Sequence, residues 1–224
     1  MELELRVSAS ADAARRGAAE LLAEAAEGGG YVAVSGGSTP GPAYELAATL
    51  EPDWSRSELW FADERCVDPL DERSNYRLVR ERLVERLERG PAVEHRIRGE
   101  LAAERAADEY ERELQGVVLD LVLLGIGADG HTASLFPNDP ALGEESRRAV
   151  AVRRPDVDRV TLTLPVLRGA STVIFLAVGA DKADAVRRAF AEPPSPETPA
   201  GLVRSSGGIT YAFLDREAAG ALEN

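Results

Sequence analysis

The sequence predicts an α/β sandwich of three layers around a mostly parallel central sheet, and three observations carry that prediction. Short apolar runs of strand length alternate with longer segments of helical periodicity along the chain. The most apolar run, "VVLDLVLLG" from Val117 to Gly125, is nearly continuous, as a strand covered on both faces must be. Strands also run into glycine turns that open helices, most clearly where "YVAV" meets "SGGSTPGP". With right-handed crossovers, ligands of such a sheet bind beyond the carboxyl ends of its strands, so chemistry is sought in the loops that follow them.

In chain order, the alternation in "LELRV" predicts a first strand, and residues 8–27 an alanine-rich helix stopped by Gly28, Gly29 and Gly30. "YVAV" (31–34) reads as the next strand, followed by a helix from near Pro40 to about Leu50. "ELWFAD" (58–63) reads as a buried strand, and "SNYRLVRERLVERL" (74–87) as a capped helix with apolar residues at helical spacing. After the break at Pro91 come a short strand near 95–98, a helix over about 100–114 and the central strand 117–125. Further strands are expected at 149–152, 159–164, 172–178 and 209–214, with helices at 182–191 and near the C-terminus. "EPPSPETPAG" (192–201) reads as a rigid surface loop.

Size and composition bound the function. A chain of 224 residues with 44% apolar and 29% charged residues is expected to form one soluble domain over 1–224. No apolar run approaches the roughly 18 residues of a membrane helix, and "MELELRVSAS" lacks a signal-peptide pattern, so the expected address is cytoplasmic. One cysteine and two histidines leave no multi-ligand Cys/His metal site and no intrachain disulfide. A net charge of −13 disfavours nucleic acid and anionic membranes. An anionic small molecule would need a local cluster of cations and backbone N–H groups.

Four segments can carry chemistry. In "SGGSTP", Gly36 and Gly37 let backbone approach a ligand, a helix start offers unpaired N–H groups, and Ser38 and Thr39 add hydroxyls, a combination suited to phosphate. A simple capped turn accounts for the hydroxyls and the proline but not for both glycines. In "FADERCV", Asp63, Glu64 and Arg65 leave a buried strand, where a carboxylate handles a proton and an arginine clamps an anion; a surface ion-pair cluster is the competing reading. Cys66 beside them has nothing adjacent in sequence to activate it and is assigned to packing. In "GIGADGHTASLFP", His131 follows the central strand among three glycines with Asp129 two residues before it, an acid–base pair in reach of a sheet edge. His95 has no such setting and is assigned a structural role. In "VGADKADAV", Lys182 sits in the first turn of a helix, where a cation is disfavoured unless it faces an anion.

Together with "RVTLTLP" (159–165), these segments resemble, in order and over nearly the whole chain, the 6-phosphogluconolactonase family, sister to the glucosamine-6-phosphate deaminases. Asp68 followed by Pro69 departs from the family pattern in a way that touches loop shape. The resemblance implies the Rossmann-like sandwich of the sugar-phosphate isomerase/deaminase type, no metal or cofactor, and hydrolysis of 6-phospho-D-glucono-1,5-lactone. By that resemblance the catalytic group is His131, Asp129, Arg65 and Asp63, and the phosphate group is Gly36, Gly37, Ser38, Thr39 and Lys182. Arg159 is a further candidate for ligand contact. The expected partner is a small sugar-phosphate lactone, and the protein a monomer or small homo-oligomer. The deaminases resemble "DGHIAFNEP", with a glutamate five residues after the histidine; Phe136 stands there in this chain. An amino-sugar deaminase and a non-catalytic sugar-phosphate sensor are the rival readings.

Overall fold

The computed structural model describes residues 2–222. Along it run β1 (Glu2–Ser8), α1 (Ala11–Gly28), β2 (Tyr31–Val34), α2 (Gly41–Leu50), β3 (Glu58–Phe61), β4 (Asp63–Arg65), α3 (Asn75–Arg82), β5 (Val93–His95) and α4 (Ala103–Glu113). There follow β6 (Leu121–Gly125), β7 (Ala149–Val152), β8 (Arg159–Leu162), α5 (Leu164–Gly169), β9 (Thr172–Ala177), α6 (Ala183–Phe190), α7 (Pro199–Leu202) and β10 (Ile209–Asp215).

Seven strands make one sheet in the order β1, β10, β9, β6, β2, β3, β5, every pair parallel. The central strands are the apolar ones: Val122, Leu123 and Leu124 of β6 and Ile174 and Phe175 of β9 have no solvent contact. Each such side chain contributes about 1.5–3 kcal/mol by leaving water. α1 begins where the Ser10 hydroxyl accepts from the Ala13 N–H, buries its alanine-lined side and packs along α2.

From β2 the chain crosses through α2 to β3 on one side, whereas from β6 it travels to β9 on the other. Since β2 and β6 are neighbours, their carboxyl ends diverge and leave a crevice between the loops that follow. Two buried tyrosines fix strand ends beside it. The Tyr44 hydroxyl donates to the Ser35 carbonyl (2.6 Å) and accepts from the Ser35 N–H; Tyr110 does the same at Phe61 (2.8 Å to the carbonyl).

Several expectations are corrected. "ELWFAD" is not one strand: at Ala62 the chain leaves the parallel sheet, and β4 joins a second, antiparallel sheet in the order β4, β8, β7. Ala62 bridges the two, its N–H donating to Val34 and its carbonyl accepting from Leu162 (2.8 Å each). The central strand starts at Leu121 rather than Val117, and Val118 is 61% exposed. Asp120 ends the approach by accepting the Tyr31 N–H on its carboxylate at 2.8 Å. The proline-rich stretch 192–201 runs into α7, whose Pro199, Ala200 and Gly201 are buried because the segment packs on α6. After β10 the described residues 216–222 form turns, not a helix.

Candidate active site

The crevice between β2 and β6 holds a cavity of about 210 Å³, lined by the turn 35–40, Asp63, Arg65, Asn75, residues 125–127, His131, Ala133 and Lys182. Eight of the nine residues singled out in the sequence meet here; Asp129 stands behind His131. Strands from opposite halves of the chain deliver them, which is why they are scattered over more than 140 positions.

The turn after β2 is held from below by Tyr44 and left open above. Pro40 occupies the cap position of α2 without a side-chain hydrogen bond, and Pro42 sits in the first turn. Among the described residues, the N–H groups of Gly36, Gly37, Ser38 and Thr39 have no hydrogen-bond partner. Gly37 adopts φ 106°, a conformation that turns the backbone into the crevice. Gly36 has a second constraint that the sequence did not show: a Cβ there would stand 1.8 Å from Asn75 Oδ1, so its small size admits the Asn75 side chain.

Both "DER" carboxylates are engaged in hydrogen bonds to neighbouring elements. Asp63 Oδ1 accepts from Asn75 Nδ2 (3.0 Å) and Oδ2 from the Ser134 hydroxyl (2.6 Å), tying β4 to α3 and to the loop after His131. Glu64 is buried and accepts from the N–H groups of Arg65, Asn75 and Tyr76 and the Ser74 hydroxyl, closing the start of α3. Burial outweighs those donors and pushes its carboxyl above the usual range. Arg65 lines the cavity while its Nη1 donates to the Arg73 carbonyl (2.6 Å).

The loop after β6 folds on itself: Gly127 donates to the His131 carbonyl and Gly130 to the Gly127 carbonyl. A Cβ at Gly127 would lie 2.1 Å from His131 Nδ1 and 2.7 Å from Asp129 Oδ1, so only glycine lets the imidazole lie over the loop. Asp129 Oδ1 accepts both the His131 N–H (3.1 Å) and Nδ1 (2.6 Å). Burial would raise the Asp129 carboxyl, but that N–H and the imidazole outweigh it and hold it below the ordinary carboxylate range. A carboxylate on Nδ1 favours the tautomer with the proton on that nitrogen, which leaves Nε2 as the nitrogen with an uncommitted lone pair on a ring that lines the cavity. His131 is less bare than its glycine neighbours imply, since its ring packs on Phe136 at 4.8 Å between centroids.

Lys182 precedes α6 as its cap residue, within a 3₁₀ turn, rather than in its first turn, and stands 3.1 Å from Asp181 at the cavity wall. Phe136 is nearly buried, with the Arg154 guanidinium 4.0 Å over its ring and Arg159 at 5.4 Å. Arg159 pairs with Asp156 and does not line the cavity. His95 is elsewhere, held between Glu58 (2.8 Å) and Glu113 (3.0 Å) and stacked on Trp60. Cys66 packs at the core edge, where burial pushes its thiol up to about 11. Sequence reasoning assigned no role to Asn75, Ser134 or Tyr44; only Asn75 had a visible signal, following the "DER" run at the start of a helix.

The profile of the family described as "Glucosamine-6-phosphate isomerases/6-phosphogluconolactonase" matches residues 6–212. The chain belongs to this family. Within the isomerase/phosphogluconolactonase family, the human 6-phosphogluconolactonase is 40% identical over 202 residues, 83% of this chain and 78% of its own length. The crystal structure of the Thermotoga maritima 6-phosphogluconolactonase superposes with a TM-score of 0.81 at 28% identity, covering 96% of this chain and 99% of that one. A monomeric glucosamine-6-phosphate deaminase superposes as well, with a TM-score of 0.82 at 20% identity over 99% of this chain and 100% of that one. Fold alone therefore does not separate the family's two chemistries; the site residues must.

Proposed function

We propose that the chain is a 6-phosphogluconolactonase, hydrolysing 6-phospho-D-glucono-1,5-lactone to 6-phosphogluconate in the oxidative pentose phosphate route. The observation that carries this reading is His131: Nδ1 is committed to Asp129, and Nε2 is open to a cavity shared with Lys182 and a turn of unpaired N–H groups. That arrangement suits a base for water beside a phosphate holder. The phosphate lies on the Gly37, Ser38 and Thr39 backbone and Lys182, which fixes the lactone relative to the imidazole. His131 takes a proton as water oxygen bonds to C1; the tetrahedral intermediate expels the ring oxygen, which receives the proton back. Arg65 faces the oxyanion or the sugar, a contact worth roughly 3 kcal/mol where it acts on the oxyanion. Asp63, with both oxygens engaged, positions β4 and the His131 loop instead of moving protons.

Deamination fits less well, because the position five residues after the histidine is an apolar ring packed on the imidazole, with no acid to offer. A sensor needs no Asp129–His131 pair. The test is a coupled assay with lactone generated fresh from glucose 6-phosphate and its dehydrogenase. Loss of lactone faster than buffer hydrolysis, with no ammonia from glucosamine 6-phosphate, is the expected result; binding without acceleration would sink the proposal.

A further inference from the structure

We infer that Arg188 is a positioning residue for His131, holding the Asp129–His131 loop from behind; this rests on the base reading above. Ala128 and Asp129, at the tip of that loop, are exposed, and the Asp129 side chain is half open to solvent. A carboxylate in that setting orients an imidazole only if its backbone is itself held. Arg188, on α6 and 57 residues beyond His131, does so with its whole guanidinium. Nη2 donates to the Ala128 carbonyl (3.3 Å), and Nη1 to the Asp129 carbonyl (3.4 Å), the Glu197 carbonyl (3.5 Å) and the Thr198 hydroxyl (2.8 Å). Nε donates to Asp184 one turn back (2.9 Å), which fixes the side chain along the helix. The Ala200 N–H adds a further tie to the Gly130 carbonyl (3.1 Å).

The same helix is capped by Lys182. One short rigid element thus sets the distance between the proposed phosphate cation and the proposed base, which is the distance a lactone must span. A planar fork suits acceptors spread over backbone carbonyls and a hydroxyl, whereas the three donors of a lysine ammonium radiate from one nitrogen and cannot span them all.

The test is Arg188→Ala and Arg188→Lys in the full chain, by steady-state lactone hydrolysis. Misplacement of a reacting group by a fraction of an ångström is expected to lower kcat about tenfold in Arg188→Ala, with KM unchanged and Arg188→Lys intermediate. In an Asp129→Asn background, the same alanine change should cost less than about twofold, because both act on one imidazole. The downfield proton resonance of His131 Nδ1–H should broaden or vanish in Arg188→Ala while the melting temperature holds. Wild-type kcat, a loss confined to KM, or full additivity with Asp129→Asn would overturn the assignment. If His131→Ala itself keeps full turnover, the base reading fails first; if it does not and Arg188→Ala is silent, only the role of Arg188 falls.

Discussion

The two glycine loops at the crevice look alike in sequence and are built on opposite principles. The turn after β2 is a set of unmet donors: four backbone N–H groups without partners among the described residues and a helix start without a side-chain cap. The loop after β6 is a set of met ones, closed on itself through Gly127 and Gly130 and tied outward through Arg188 and Ala200. An anion site must hold its donors in reserve, because the ligand completes them. A base must have every group but one satisfied, because its remaining lone pair has to point one way.

This contrast can be broken at four points. His131→Ala should reduce kcat by about 10² or more, the lower end of general-base contributions, with KM within twofold; kinetics corrected for spontaneous lactone hydrolysis decide it. Gly127→Ala comes next. A methyl at that position displaces the imidazole, so kcat should fall some tens-fold although no polar group is removed, again a loss from misplacement. Lys182→Ala should act on the other half: about a tenfold rise in KM, equivalent to roughly 1.4 kcal/mol, with kcat preserved, since phosphate is held alike in ground and transition states. An unchanged KM would remove Lys182 from the site.

The smallest effect is on stability. The Asp129 carboxyl titrates lower in the folded chain than in the unfolded one, where it lies at about 3.9. Its contribution is therefore present above about pH 4 and is lost as the pH falls through the lower folded value. Because the carboxylate is half open to solvent and its interactions are screened, wild type should melt only slightly above Asp129→Asn at neutral pH, and the gap should close in acid. A gap that widens in acid would reverse the sign.

Much of this was legible in the chain. The strand–turn–helix at 31–50 and the Asp129–His131 pair follow from local rules: apolar runs of strand length, glycines where backbone must turn, and a carboxylate two residues from an imidazole. "ELWFAD" misled because Ala62 is as apolar as a strand interior, and nothing local says that the chain changes sheets there. The partners of Asp63 are hidden from the sequence for a related reason. A carboxylate at a strand end looks free until Asn75 and Ser134, from two other elements, are found on its oxygens.

The sequence by itself determined the alternating α/β plan, the loops that could bind phosphate and move a proton, and the apolar residue where the deaminase pattern has an acid. Tertiary structure alone decided which donors stay free and which are filled. That division has a physical cause. Strand and helix formation depends on neighbours a few positions apart, whereas hydrogen-bond satisfaction depends on groups such as Arg188 and Thr198, 57 and 67 residues beyond the histidine they help to hold.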